Sequence, residues 1–139
     1  MKNLLLLISF ASLFCGCTSD DGQGGTMQNL AVVTSVEMPE NFEFSREHRI
    51  KVNFERQTSC DRFSGFDVSK NGNIITVGVV TSYRTSSTDC LTTGNMQASA
   101  ELNFVAERDD FYIFKFWQGE VNGEIQFLTM EVPVISPGM

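Results

Sequence analysis

The stretch that decides the fold class runs from residue 111 to residue 135 and reads FYIFKFWQGEVNGEIQFLTMEVPVI. Aromatic and β-branched residues dominate two runs, which Asn122-Gly123 separates. Such runs are typical of strands, and Asn-Gly favours a type I′ turn because both residues tolerate positive φ. The stretch therefore predicts a hairpin of strands 111–120 and 124–135.

The same signals recur toward the N-terminus. Asn71-Gly72 predicts a second hairpin, 63–69 with 73–83, and apolar residues alternate with polar ones in further segments. These segments predict strands near 30–37, 49–55 and 100–107. No segment has a convincing helical period, so the expected fold is all-β: a two-sheet antiparallel β-sandwich of the immunoglobulin-like type, with a small open β-barrel as the alternative.

One detail favours the immunoglobulin-like version. Asp110-Phe111-Tyr112 opens a late strand much as a tyrosine corner does. In that arrangement the tyrosine hydroxyl forms a hydrogen bond with backbone a few residues upstream. We therefore expect Tyr112 to bond in this way.

The first sixteen residues predict an export signal. Lys2 precedes the apolar run 4–14 (LLLLISFASLF), which is too short to span a bilayer. The following Phe14-Cys15-Gly16-Cys17 resembles the lipobox of bacterial lipoproteins, in which a small residue precedes a Cys that receives diacylglycerol. That resemblance implies that 1–16 is removed and that Cys17 carries the lipid. Cys15 is the poorer acceptor, because bulky Phe14 would then occupy the cleavage position.

The segment after Cys17 predicts how the domain is attached. Asp20-Asp21 resembles the surface-export signal of Bacteroidota lipoproteins, which implies a lipid-anchored protein of the outer membrane that is exposed at the cell surface. The alternative is a polar, flexible tether on a periplasm-facing protein, since Gly/Ser/Asp-rich segments behave as coils. We expect residues 17–28 to form the acylated tether and 29–139 a single domain.

The remaining cysteines are Cys60 and Cys90. An exported domain lies in an oxidising compartment, where a disulfide is the usual state of such a pair. There is no Cys-x-x-Cys and only one His, so a redox or metal-binding pair has no support. The sequence predicts a structural disulfide that joins two loops at one end of the domain.

Charge narrows the range of partners. The 139 residues contain 10 Lys and Arg against 17 Asp and Glu, which gives a net charge of −7. Binding to nucleic acid or to anionic lipid requires clustered cations. We therefore expect no nucleic-acid partner, and contact with the membrane only through the acyl anchor.

No catalytic or metal-binding motif is present in the sequence. His48 is expected to be an exposed spectator at the start of a strand, and Asp109-Asp110 to belong to a turn, because adjacent strand residues point to opposite faces. The sequence therefore predicts that the protein is not an enzyme and that it binds no cofactor and no metal ion.

Two features are candidates for ligand contact. The first is Trp117, the only Trp in the chain, which would contact a ligand if its side chain is exposed on the strand. The alternative is that this strand is buried on both faces or covered by the N-terminal segment. The second is a polar loop that the disulfide would hold in place for binding; the alternative is that it is an ordinary connection between strands. Its candidate residues are Arg84, Thr85, Ser86, Ser87, Thr88 and Asp89.

As a whole, the chain resembles small lipoproteins of Flavobacteria and related Bacteroidota, to which we attach no activity. The likeness lies in Cys17 with Asp20-Asp21, Cys60 with Phe63 and Phe66-Asp67, Cys90, the run 114–119 and the ending 131–134. It implies an exported single domain and transfers no functional residue. The expected function is a non-enzymatic binding module for a glycan, a peptide or a protein; the alternative is a structural accessory subunit of an envelope or secretion assembly.

Overall fold

The computed structural model describes residues 24–137, and in this range the chain is all-β. No helix of the length and apolarity needed to cross a membrane occurs there. The eight strands are β1 (Thr26–Glu37), β2 (Phe42–Glu43), β3 (Glu47–Glu55), β4 (Arg62–Asn71), β5 (Ile74–Arg84), β6 (Gln97–Val105), β7 (Phe111–Val121) and β8 (Glu124–Ile135). The predicted all-β class is confirmed. The leader, Cys17 and Asp20-Asp21 lie outside the described residues.

The strands form one mixed sheet in the order β2-β8-β7-β5-β1-β3-β6, with β4 paired to β5. Most pairs are antiparallel, but β7 runs parallel to β5 and β2 runs parallel to β8. The prediction of a purely antiparallel arrangement is therefore wrong. The reason is that β6, which follows β5 in the chain, pairs with β3 and not with β5. The next strand, β7, is the one that pairs with β5, and it runs in the same direction as β5.

The sheet curls as a half-barrel because β1 is shared between two sets of partners. Residues 26–31 pair with β5, whereas residues 32–37 pair with β3, with a register shift between Val33 and Ser35. The two ends of the sheet meet at a single parallel bridge between Phe44 and Ala106. An immunoglobulin-like sandwich topology is not confirmed.

The core is formed by one face of the curled sheet, as the alternation predicts. Its largest fully buried side chains include Phe42, Phe54, Phe114, Phe116, Ile50 and Ile75. Phe42 is surrounded by the rings of Phe104, Tyr112 and Phe114, whose centroids lie 5.4–6.3 Å from its own. Burial of one such side chain contributes about 1.5–3 kcal/mol. This packing explains how the two-residue strand β2, which has no sequence alternation, is held in place.

Both predicted hairpins are confirmed, but their turns differ. Asn122 and Gly123 both have positive φ (53° and 81°), as the predicted type I′ turn requires. In the other hairpin Asn71 pairs with Ile74, so the central residues are Gly72 and Asn73, and only Gly72 has positive φ (62°). That pattern fits a type II′ turn, so the prediction of Asn71-Gly72 as the turn centre is off by one residue.

The predicted corner bond of Tyr112 is confirmed, because its hydroxyl oxygen accepts a hydrogen bond from the Glu107 N–H at 2.9 Å. At the other end of the domain, β1 begins at Thr26, inside the segment 17–28 that the sequence assigns to a tether. Residues 26–28 are strand because they pair with Arg84, Tyr83 and Ser82 of β5.

Candidate binding site at the disulfide end

Two loops meet beyond the C-terminal end of β5, where the Cys60–Cys90 disulfide joins them with a Cα–Cα distance of 5.4 Å. Beside it, the Ser59 N–H donates to the Leu91 carbonyl at 2.8 Å, and the Leu91 N–H donates to Ser59 Oγ at 2.9 Å. The predicted disulfide is present, and these two hydrogen bonds join the same two loops beside it. The long polar loop after β5 is thus fixed to the loop that precedes β4.

The loop before β4 is itself held by Asp61, which is 1% exposed. Asp61 Oδ2 accepts a hydrogen bond from the Thr58 N–H at 2.8 Å, and Arg56 Nη1 donates to the Asp61 carbonyl at 3.3 Å. Of the two carboxylate oxygens, Oδ2 has this hydrogen-bond partner, whereas Oδ1 is buried without one, and burial of a polar atom without a partner costs free energy. These contacts fix the backbone that leads into Arg62.

A β-bulge decides which way Arg62 points. Phe63 pairs with Thr81 and Gly65 pairs with Val80, so Ser64 is an extra residue in β4. One extra residue reverses the face of every side chain beyond it. Arg62 consequently pairs with Ser82 and shares its outward face, opposite to the fully buried Thr81.

The result is a cleft of about 480 Å³ at the junction of β4, β5 and the start of β1. It is lined by two arginines, three hydroxyl side chains, a tyrosine and the disulfide: Thr26, Cys60, Arg62, Ser82, Tyr83, Arg84 and Ser87. The lining contains no carboxylate, and neither arginine forms an ion pair with a carboxylate of residues 24–137. In a chain of net charge −7, this is a local concentration of positive charge. Guanidinium forks and hydroxyl donors together suit an anionic group such as a carboxylate, phosphate or sulfate.

Two of the six predicted loop residues line this cleft. Arg84 does so directly, and Ser87 is brought to it by a tight turn in which the Ser87 N–H donates to the Arg84 carbonyl at 2.9 Å. Thr85 instead holds the entry of the chain, because its Oγ1 donates to the Gly25 carbonyl at 2.8 Å. The other three are exposed and lie outside the lining: Ser86, Thr88 and Asp89.

Trp117, the other predicted contact residue, lies apart from the loop in a second, shallower groove of about 170 Å³. The groove is lined by Leu30, Asp67, Ser69, Thr76, Val77, Gly78, Trp117 and Phe127. Trp117 is half-buried there, with Leu30 of the N-terminal strand forming part of the wall. Gly78 is buried under the Leu30 side chain, and its lack of a side chain permits this close packing: a Cβ at Gly78 would lie 3.0 Å from Leu30 Cδ2.

His48 has a structural role. The ring is half-buried, its centroid lies 4.9 Å from that of Phe42, and its Nε2 accepts a hydrogen bond from the Glu43 N–H at 2.9 Å. The prediction of an exposed spectator is therefore wrong, because the short strand β2 folds over the ring.

Asp110 also belongs to local structure and not to a binding site. The Arg108 guanidinium donates to both carboxylate oxygens, with Nε–Oδ1 at 2.9 Å and Nη2–Oδ2 at 2.7 Å. This fork lowers the pKa of Asp110 to about 2 and raises that of Arg108, with the Phe111 N–H helping to lower the pKa of the carboxyl. Within residues 24–137, no three His, Cys, Asp or Glu side chains are placed to hold a metal ion.

Comparison with known proteins assigns no family. No family model, no curated protein and no solved structure matches the chain. The chemistry of the cleft and of the groove is therefore the basis on which a function can be argued.

Proposed function

We propose that this protein is a lipid-anchored, non-enzymatic binding module of the bacterial envelope, and that the cleft of Arg62 and Arg84 is where it holds its ligand. The supporting observation is a pair of arginines and three hydroxyl side chains around one concave site with no carboxylate among them. The ligand is a glycan, a peptide or a protein that presents a carboxylate, phosphate or sulfate.

The composition of the lining favours binding over catalysis. A guanidinium stays protonated at any physiological pH, so neither arginine can act as an acid or a base. A serine or threonine hydroxyl becomes a nucleophile only beside a general base. The lining contains neither a His nor a carboxylate to serve as that base. Such a site holds an anion without transforming it.

Binding is tested with the full chain, solubilised from membranes in detergent and applied to immobilised anionic and neutral glycans and peptides. Arg62→Gln and Arg84→Gln should each weaken binding of the anionic ligands about tenfold or more, since a hydrogen bond to a charged group contributes about 1.5–3 kcal/mol. Arg49→Gln is the matched control, because that exposed side chain belongs to β3 and does not line the cleft. Equal binding by the two cleft variants and the control would contradict the proposal.

The anchor is tested separately, with labelled palmitate. Cys17→Ala should abolish incorporation of the label into the protein, whereas Cys15→Ala should retain it. Protease treatment of intact cells then reports on surface exposure, which Asp20→Ala/Asp21→Ala should reduce in favour of a periplasm-facing population. Label retained in the Cys17 variant would refute the assignment of the lipid, and protection of the wild-type protein would refute surface display.

The competing proposal is a structural accessory subunit of an envelope or secretion assembly. It predicts that crosslinking in native membranes traps a stoichiometric complex whose formation does not depend on Arg62 or Arg84. A binding module predicts instead that the protein is recovered free of such a complex, with any captured partner lost in the two arginine variants.

A further inference from the structure

The cleft and the groove open on the same face of the sheet. Residues directly opposite each other on paired strands share a face, so the pairs can be followed along β5. We call each set of residues paired across neighbouring strands a row. From the C-terminal end of β5 backwards, the outward-facing rows are Thr26–Arg84, Gln28–Ser82–Arg62, Leu30–Val80–Gly65, Gly78–Asp67 and Thr76–Ser69. The inward positions between them are buried, as Val77, Val79 and Thr81 show.

Only one row separates the two sites. Ser82 lines the cleft, Gly78 lines the groove, and Val80 lies between them in the row with Gly65. Four residues of strand span about 13 Å. In that row Gly65 carries no side chain and a Cβ built on it would meet nothing within 4 Å, whereas Leu30 and Val80 carry side chains and Leu30 also lines the groove. The cleft and the groove are therefore neighbouring sites on one face, and we call the two together the track.

We propose that this track is a single binding face with two subsites, and that its ligand is an oligosaccharide that carries an acidic sugar and, farther along the same chain, a neutral one. The acidic sugar places its carboxylate between Arg62 and Arg84, and the neutral sugar lies against Trp117 beside the exposed Asp67. This inference rests on the proposed function and names the class of ligand.

The groove favours a sugar because of the groups that line it. Trp117 and Phe127 supply flat apolar surface, and Asp67, Ser69 and Thr76 supply hydroxyl and carboxylate partners for sugar hydroxyls. The carboxylate of Asp67 is offset at this end by Lys115, whose Nζ lies 4.4 Å from the centroid of the Phe127 ring, so a neutral sugar suits the groove. The positive charge at the cleft end, from two arginines, requires the acidic sugar there.

An extended peptide fits the track less well. Peptides that bind sheets gain affinity mainly from the backbone groups of a free strand edge. Along the track both edges of β5 are occupied, by β4 on one side and by β1 and β7 on the other. A ligand that lies on this face and reaches Trp117 is therefore held by side chains, through rings, hydroxyl groups and guanidinium groups, whereas the edge of β4 that no described strand pairs lies on the side away from β7.

The test uses the full chain and four probes: hyaluronan oligosaccharides, in which glucuronate alternates with a neutral sugar; the same oligosaccharides with their carboxylates methyl-esterified; glucuronate alone; and a glutamate peptide. Affinities are measured by isothermal titration calorimetry. Trp117 is the only Trp in the sequence, so its fluorescence in the wild-type protein also reports whether the groove is occupied. We expect the hyaluronan oligosaccharide to change the fluorescence, and glucuronate to bind without changing it. The esterified chain should bind about tenfold more weakly.

Variants separate the two subsites. Trp117→Leu and Asp67→Asn should each weaken binding of the oligosaccharide about tenfold and leave the affinity for glucuronate unchanged. Arg84→Gln should weaken both. Asp67 is exposed, so its variant tests the groove even where Trp117→Leu reduces stability.

The outcomes distinguish this inference from the proposal on which it rests. Weaker binding in Arg84→Gln together with no effect of either groove variant would overturn the two-subsite track and leave the arginine cleft standing. No effect of any of the three variants would overturn both. Binding of the glutamate peptide as tight as that of the oligosaccharide would overturn the assignment of a sugar.

Discussion

Removing the Cys60–Cys90 bridge should lower the free energy of unfolding of the domain by several kcal/mol while leaving its loops in place. The change is Cys60→Ala/Cys90→Ala. The bridge closes a loop with a sequence separation of 30. In the chain-entropy model, a loop of that size restricts the unfolded chain by about 3.6 kcal/mol at 25 °C.

The structure indicates that this loss acts on the unfolded state. The hydrogen bonds between Ser59 and Leu91 join the same two loops and do not involve the sulfur atoms. The folded loops should therefore keep their positions in the double variant. Domains of this size have stabilities of about 5–15 kcal/mol, so the variant should fold but melt early.

The assay is urea unfolding followed by circular dichroism. With a slope of about 1.5 kcal/mol/M, the midpoint should fall by about 2.4 M. Reduced wild-type protein should give the same midpoint as the double variant. Ser59→Ala is the control for the surrounding loop, and it should cost about 1 kcal/mol, since it removes one exposed hydrogen bond.

A midpoint shift worth less than about 1 kcal/mol would refute this reasoning, because it would mean that the unfolded chain gains little freedom when the bridge is absent. Free thiols at both positions in native protein, measured by non-reducing mass spectrometry, would refute the bridge itself.

Two other predictions concern Tyr112 and Asp110. Tyr112→Phe leaves the Glu107 N–H without its partner and should lower the free energy of unfolding by about 1–3 kcal/mol. Tyr83→Phe is the control, because it makes the same chemical change away from this bond. An equal loss of stability in both variants would contradict the corner bond. The Asp110 carboxyl should titrate by NMR near its pKa of about 2, and Arg108→Gln should return it toward 3.8. Because folding lowers this pKa, the carboxylate stabilises the fold above about pH 4, and this contribution is lost as the pH falls toward 2. An unchanged titration in Arg108→Gln would rule out the fork as the cause.

The fold class could be predicted because alternation and turn chemistry are local. The Ile50, Val52 and Phe54 side of β3 is buried as its spacing requires, and Asn122-Gly123 forms the turn that its residues favour. The sheet order could not be predicted in this way. It depends on which strands lie side by side after long connections, and the pairing of β7 with β5 leaves no local trace in either strand.

The same limit applies to the binding face. Arg84 and Trp117 were open to prediction because each is conspicuous in its own segment. Arg62 was missed because its outward direction depends on the extra residue Ser64, and a bulge has no signature in a strand that otherwise alternates. The juxtaposition of Arg62 with Arg84 is a property of register, which emerges only when β4 and β5 pair.

The chain enters the domain beside the cleft, and this position has a consequence for where a ligand is met. Thr26 lines the cleft and lies nine residues after Cys17. Nine residues, even fully extended, reach at most about 32 Å. If Cys17 carries the proposed lipid, the arginine cleft would lie within about this distance of the anchored residue, and the Trp117 groove farther along β5. Such a protein would select among molecules already attached to the cell, and would not sample the surrounding medium from a distal tip.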